Sequence, residues 1–191
     1  MAITGLILAG GRGTRMGNLD KGLQSFHGAP MALQVMRRLA PQVDQIMINA
    51  NRNLTAYQTF CSTVWPDDMQ GFAGPLAGLQ TGLMHCRTTH LASVPCDSPF
   101  LPIDLIDRLH AALTEHDADL AVAVTGPDHQ AQPQPVFCLM KSLLLPHLTR
   151  FLQHGGRKID AWHASLSVAK VHFEDETAFC NINTLDELRQ F

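Results

Sequence analysis

Residues 6–22, LILAGGRGTRMGNLDKG, crowd five glycines and three cations into one stretch after an apolar run. Arg12, Arg15 and Lys21 carry charge at neutral pH. Gly10, Gly11 and Gly13 lack Cβ atoms, so a ligand can come close to the main chain, and turn N–H groups aim at anions. This chemistry suits the phosphates of a nucleotide. A second candidate is Asp97, in Pro95-Cys96-Asp97-Ser98-Pro99. A hard carboxylate on a constrained turn can hold Mg²⁺ together with substrate phosphates. On its own, Asp97 reads more simply as an Asx turn or a helix cap.

Two familiar phosphate motifs fit poorly. A P-loop ends in Gly-Lys-Ser/Thr, whereas Lys21 lies between Asp20 and Gly22. The dinucleotide fingerprint needs Gly-x-Gly-x-x-Gly/Ala, and Gly11-Arg12-Gly13-Thr14-Arg15 runs into Met16. That fingerprint also wants an acid at the end of the second strand, where this chain has Asn49-Ala50-Asn51.

The elements that must position these residues follow from hydrophobic periodicity. Apolar runs at 3–9, 45–49, 62–65, 90–94, 120–124, 135–139 and 167–173 read as strands. Helical spacing links Ala32, Val35, Met36, Leu39 and Ala40, with Pro41 near the stop. It recurs at Leu76, Leu79 and Leu83 after Gly74-Pro75, where proline suits a first helical position. Leu105, Ile106, Leu109, Ala112 and Leu113 form another such face after Pro102. Leu144, Leu148, Phe151 and Leu152 form a fourth, and 184–190 reads as a terminal helix capped by Thr184. The segment 125–135, TGPDHQAQPQP, is loop-like. Alternating strands and helices predict an α/β fold, a doubly wound, mostly parallel sheet with helices on both faces. In such sheets ligands bind beyond the carboxyl ends of the strands, where the polar motifs fall.

A length of 191 residues predicts a single domain, 1–191, with a sizeable core. The net charge of −3 gives no footprint for nucleic acid or an anionic membrane, and the local basic clusters suit a small polyanion. Five cysteines, an odd number without a C-x-x-C pair, read as reduced thiols in the cytoplasm and no zinc site. The first apolar run stops at Gly10 and lacks a basic n-region, so it reads as a strand and not a signal peptide. No apolar stretch is long enough to span a bilayer.

Leu8-Ala9-Gly10-Gly11, Arg15-Met16-Gly17 and Asp20-Lys21-Gly22 together resemble the opening motif of the molybdenum cofactor guanylyltransferases, within the wider nucleotidyltransferase group. Related cytidylyltransferases carry Ala-Ala-Gly where this chain has Leu-Ala-Gly-Gly. Pro95-Cys96-Asp97-Ser98-Pro99 resembles the family's Pro-Cys-Asp-x-Pro motif, which reverses the simpler reading of Asp97 in favour of a magnesium ligand. Gly74-Pro75-Leu76-Ala77-Gly78 and Asn181-Ile182-Asn183-Thr184 resemble two further family elements. The ordered motifs cover residues 6–188.

The resemblance implies a Rossmann-like nucleotidyltransferase fold and transfer of GMP from GTP to the terminal phosphate of Mo-molybdopterin, with Mg²⁺ as cofactor. It implies GTP binding by Leu8, Ala9, Gly10, Gly11, Lys21, Asn49, Asp67 and Asp97, with Lys21, Arg15 and Asp97 in catalysis and Asp97 on the metal. Arg12, Asn181 and Asn183 are weaker members of the set, and Asp68 is the neighbour that could replace Asp67. Gly78 could serve nucleotide approach or only helix packing. Arg157-Lys158 is a charge-based candidate for the second substrate's phosphate, whose surface is expected within 125–163. Implied partners are GTP, Mo-molybdopterin, and molybdenum-insertion and cofactor-delivery proteins. A cytidylyltransferase on the same pterin, a sugar-phosphate nucleotidyltransferase and a non-catalytic nucleotide-binding carrier remain open alternatives.

Overall fold

The computed structural model describes residues 2–11, 19–69, 74–182 and 187. Among them a seven-stranded sheet runs in the order β5-β4-β1-β6-β8-β7-β9. Its strands are β1 Ile3–Leu8, β4 Gln45–Asn49, β5 Val64–Trp65, β6 His90–Pro95, β7 Leu120–Thr125, β8 Gln132–Lys141 and β9 Val168–His172. Every pairing is parallel except those of β8, which runs antiparallel to both β6 and β7. A small hairpin, β2 Ser25–Phe26 and β3 Ala29–Pro30, stands apart.

Helices cover both faces. α1 Met31–Leu39 and α4 Leu105–Glu115 pack on one, where Ile3, Ile7, Leu39, Leu105 and Leu109 share a core. α3 Pro75–His85, α5 Leu145–Gln153 and α6 Ile159–His163 lie on the other, with Leu6, Met47, Leu79, Leu148 and Trp162. The strand period of two sends Ile7 and Leu6 to opposite faces. α3 is buried along 76–83 because it is sandwiched between the sheet and α5, where Gln80 Nε2 donates to Thr149 Oγ1 at 3.0 Å. A Cβ on Gly82 would lie 2.5 Å from Leu6 Cδ2, so this glycine sets how closely α3 meets the sheet.

Several boundaries differ from the sequence reading. The loop-like 125–135 contributes the first residues of β8, which pair with β7 as far as Gln132 opposite Thr125. Its proline-rich composition leads instead to a register shift opposite Val122 and Ala123. Fully buried Ser93 donates to the Val136 carbonyl in that irregular stretch at 2.5 Å. β5 is shorter than 62–65. The short α2 Leu54–Gln58 and α6 were not expected, because neither is long enough to display a periodic apolar face. The terminal helix expected at 184–190 lies outside the described residues, apart from Glu187.

Candidate active site

Register alone gathers the candidate residues. Leu8 pairs with both Asn49 and Pro95, and Asn49 pairs with Trp65, so β1, β4, β5 and β6 end level with one another. Gly10, Asn51, Asp67 and Asp97 each lie two residues past one of these strand ends. Continuing main-chain bonds hold the extensions, from Ala9 N–H to Asn49 O at 2.8 Å and from Cys96 N–H to Leu8 O at 3.1 Å.

At the β4–β5 end two asparagines clamp one carboxylate. Asn49 Nδ2 donates to Asp67 Oδ1, and Asn51 Nδ2 to Asp67 Oδ2, both at 2.8 Å. The Asp67 N–H returns a bond to Asn51 Oδ1 at 2.8 Å, closing a reciprocal pair. Asn51 also reaches the Gly10 carbonyl at 3.3 Å, and Asn49 the Trp65 carbonyl at 3.2 Å. The carboxylate is thus fixed in rotamer while its unused lone pairs can still accept. Space for the clamp comes from two glycines. A Cβ on Gly78 would sit 2.5 Å from Asn49 Oδ1, and one on Gly10 would sit 2.8 Å from Asn51 Nδ2. At Gly11, by contrast, an added Cβ meets nothing within 4 Å among the described residues. Packing therefore requires Gly78 and Gly10.

At the β1–β6 end Lys21 Nζ donates to Asp97 Oδ2 at 3.1 Å. The two side chains keep 20% and 13% of their exposure, so the pair is sheltered yet open on one side. Asp97 is held from behind. Its carbonyl accepts from Ile182 N–H at 2.8 Å, and Ser98 Oγ donates to Asn181 Oδ1 at 2.6 Å. Ile182 is wholly buried against Phe26 and Met31, which anchors this returning segment. Burial pushes the adjacent Cys96 thiol well up, and Asp97 adds to the effect, so Cys96 is an inert packing residue and not a nucleophile. Among the described residues no three His, Cys, Asp or Glu side chains converge. A hard cation at Asp97 would complete its shell with water and phosphate oxygens, a set that fits a divalent metal bound through one carboxylate.

The MobA-like NTP transferase domain model matches residues 5–167. Over 188 residues the chain is 58% identical to the molybdenum cofactor guanylyltransferase of Bordetella petrii, covering 98% of this chain and 96% of that one. It is 57% identical to that of Cupriavidus taiwanensis, over 98% and 94%. The chain belongs to the molybdenum cofactor guanylyltransferase family. The molybdopterin-guanine dinucleotide biosynthesis protein A of Archaeoglobus fulgidus shares the fold, with a TM-score of 0.76 over 98% of this chain and 95% of that one at 23% identity.

Within this family member the sequence-selected Leu8, Ala9, Gly10, Gly11, Lys21, Asn49, Asp67 and Asp97 fall along one edge. Asp67, and not Asp68, is the clamped carboxylate; the Asp68 N–H is engaged by Thr81 Oγ1 at 3.3 Å. Asn181 positions the loop at Ser98. Arg12, Arg15 and Asn183 lie outside the described residues. Arg157 turns Nη1 to the Leu152 and Gly156 carbonyls at 2.9 and 2.7 Å, closing the end of α5. Sequence reasoning passed over Asn51 and Arg52, whose Nη2 reaches the Gly11 carbonyl at 3.4 Å. The signal for Asn51 was its spacing from Asn49, since residues i and i+2 of an extended chain point the same way.

Proposed function

We propose that this chain transfers GMP from GTP to the terminal phosphate of molybdenum-bound molybdopterin, forming molybdopterin guanine dinucleotide and releasing pyrophosphate. The observation that carries the reading is the Lys21–Asp97 pair at the carboxyl end of β6, in a chain so similar to named guanylyltransferases. The acceptor phosphate is already ionised at neutral pH, so no strong general base is needed. What remains is alignment and charge neutralisation.

In this reading Asp97 would hold Mg²⁺, which when bound neutralises phosphate charge at the reacting centre. Lys21 leaves Asp97 for the triphosphate, where Arg15 and the turn N–H groups join it. Leu8, Ala9, Gly10 and Gly11 line the approach of the nucleotide. Asn49 and Asp67 recognise the nucleoside; the fixed carboxylate accepts from guanine N–H groups or ribose hydroxyls. Asn181 and Asn183 shape the loop behind the metal ligand, with Asn183 contributing to the metal or phosphate environment. Arg157 and Lys158 remain candidates for the pterin phosphate. The reaction belongs in the cytoplasm of the cell, in one catalytic domain, with the product passed to molybdenum-insertion and cofactor-delivery proteins. No helix among the described residues is long and apolar enough to cross a membrane.

The deciding measurement is Mg²⁺-dependent pyrophosphate release with molybdenum-loaded molybdopterin, offering GTP and CTP side by side. Release with GTP and not CTP is expected. Release with CTP alone would keep the chemistry and overturn the base. No release with either, from folded protein, would return the carrier reading.

A further inference from the structure

One buried ring flanks Lys21 on both sides. Tyr57, on α2, is fully buried, and its hydroxyl donates to Asp20 Oδ1 at 2.5 Å. The other carboxylate oxygen, Oδ2, accepts from Asn53 Nδ2 at 3.0 Å. Asn53 caps α2 in the left-handed region, at φ 53°. On the far side of Lys21 an added Cβ at Gly22 would come within 2.5 Å of the same Tyr57 hydroxyl. Asp20's carbonyl is also bound, by Gln24 Nε2 at 3.0 Å and Leu23 N–H at 3.2 Å. Burial, with Cys96 and Asp20 adding to it, pushes the Tyr57 phenol far above its ordinary range, so the group remains a donor.

We propose that Tyr57 is a positioning residue for Lys21. Through Asp20 before the lysine and the room left at Gly22 after it, the ring fixes the main chain from which the ammonium reaches Asp97. A lysine on an unanchored turn would lose both main-chain and side-chain freedom on meeting a triphosphate. Here the main-chain part is settled in advance by a charge-assisted bond to a core residue. The same bonds turn the Asp20 carboxylate towards α2, where tyrosine and asparagine donors receive it. The adjacent acid therefore serves α2 while the lysine serves the site. This inference rests on the reading of Lys21 as a triphosphate ligand.

A double-mutant cycle separates positioning from mere stability. Mg²⁺-GTP binding is titrated on the wild type, Y57F, K21A and the double variant, with folding followed by near-ultraviolet circular dichroism. Y57F is expected to weaken binding about tenfold when Lys21 is present and less than twofold when it is absent. Equal losses on both backgrounds would overturn the proposal, as would unchanged binding by folded Y57F. If Y57F does not fold, N53A, which removes the donor to the other Asp20 oxygen from an exposed position, is read by the same cycle and the same criteria. Failure of the guanylyltransferase reading has a different signature, wild-type protein preferring another nucleoside triphosphate. The cycle is then run on that nucleotide, and binding of none overturns both.

Discussion

Asp67 and Asp97 each lie two residues past a strand end on the same sheet edge, with β4 and β1 between them, yet their surroundings differ in kind. Asp67 has both oxygens and its own N–H tied to Asn49 and Asn51, all at 2.8 Å. Asp97 has its main chain tied down by Ile182, while its carboxylate is engaged by the exchangeable cation Lys21. A carboxylate that recognises a nucleoside gains from a fixed rotamer, because nothing then has to be ordered on binding. One that must take up metal and phosphate needs a partner it can release. A partly exposed lysine on a flexible stem is such a partner. Under the proposed roles, one sheet edge is rigid where it would recognise the nucleoside and exchangeable where it would react.

The sharpest way to break this contrast is at the reactive end. D97N keeps the shape of the side chain and removes its charge. It should lower turnover by about a hundredfold or more while leaving the melting temperature near that of the wild type. Near-normal turnover at saturating Mg²⁺ would end Asp97's assignment. At the recognising end, N51A leaves the Asp67 N–H and one carboxylate oxygen short of a partner. Affinity for GTP should fall about tenfold, with turnover at saturation changed far less. An equal fall in both would place Asn51 in the chemistry.

Adjacent glycines sharpen the comparison. G10A forces a Cβ to within 2.8 Å of Asn51 Nδ2 and should destabilise the fold by about 1–3 kcal/mol. G11A meets no neighbour among the described residues and should change stability by no more than about 0.5 kcal/mol, while weakening nucleotide binding. Equal melting temperatures for the two variants would refute the packing role given to Gly10.

A smaller effect belongs to the far face. His163 is buried, its Nε2 has no hydrogen-bond partner among the described residues, and burial lowers its pKa to about 4 with Asp160 partly opposing. The unfolded chain therefore takes up the proton first, near pH 6.5. The stability linked to neutral His163 is complete above pH 6.5 and is lost as the pH falls towards 4, by up to about 3 kcal/mol. H163L should flatten that part of the stability profile between pH 6.5 and 4 in denaturant titrations. An unchanged slope would show that other groups govern it.

The strand runs were legible because each core strand is apolar and bounded by turn residues. Leu8, Gly10, Asn49, Asp67 and Asp97 could be placed together because they lie at or just past the carboxyl ends of those strands, whereas Lys21, in the turn Lys21–Leu23, was picked out by its charge and by the resemblance. α2 and α6 were hidden by their brevity. The beginning of β8 was hidden by prolines that a buckled strand accommodates.

By itself the sequence determined the alternation of elements and the residue types at the edge, since both depend on local pattern. Only the tertiary structure decided that Asn51 locks Asp67, that Gly78 makes room for Asn49, and that Tyr57 reaches across to Asp20. Those contacts join residues far apart in the chain. They depend on strand register and on the depth to which a helix sinks onto the sheet, quantities that no local window of sequence contains.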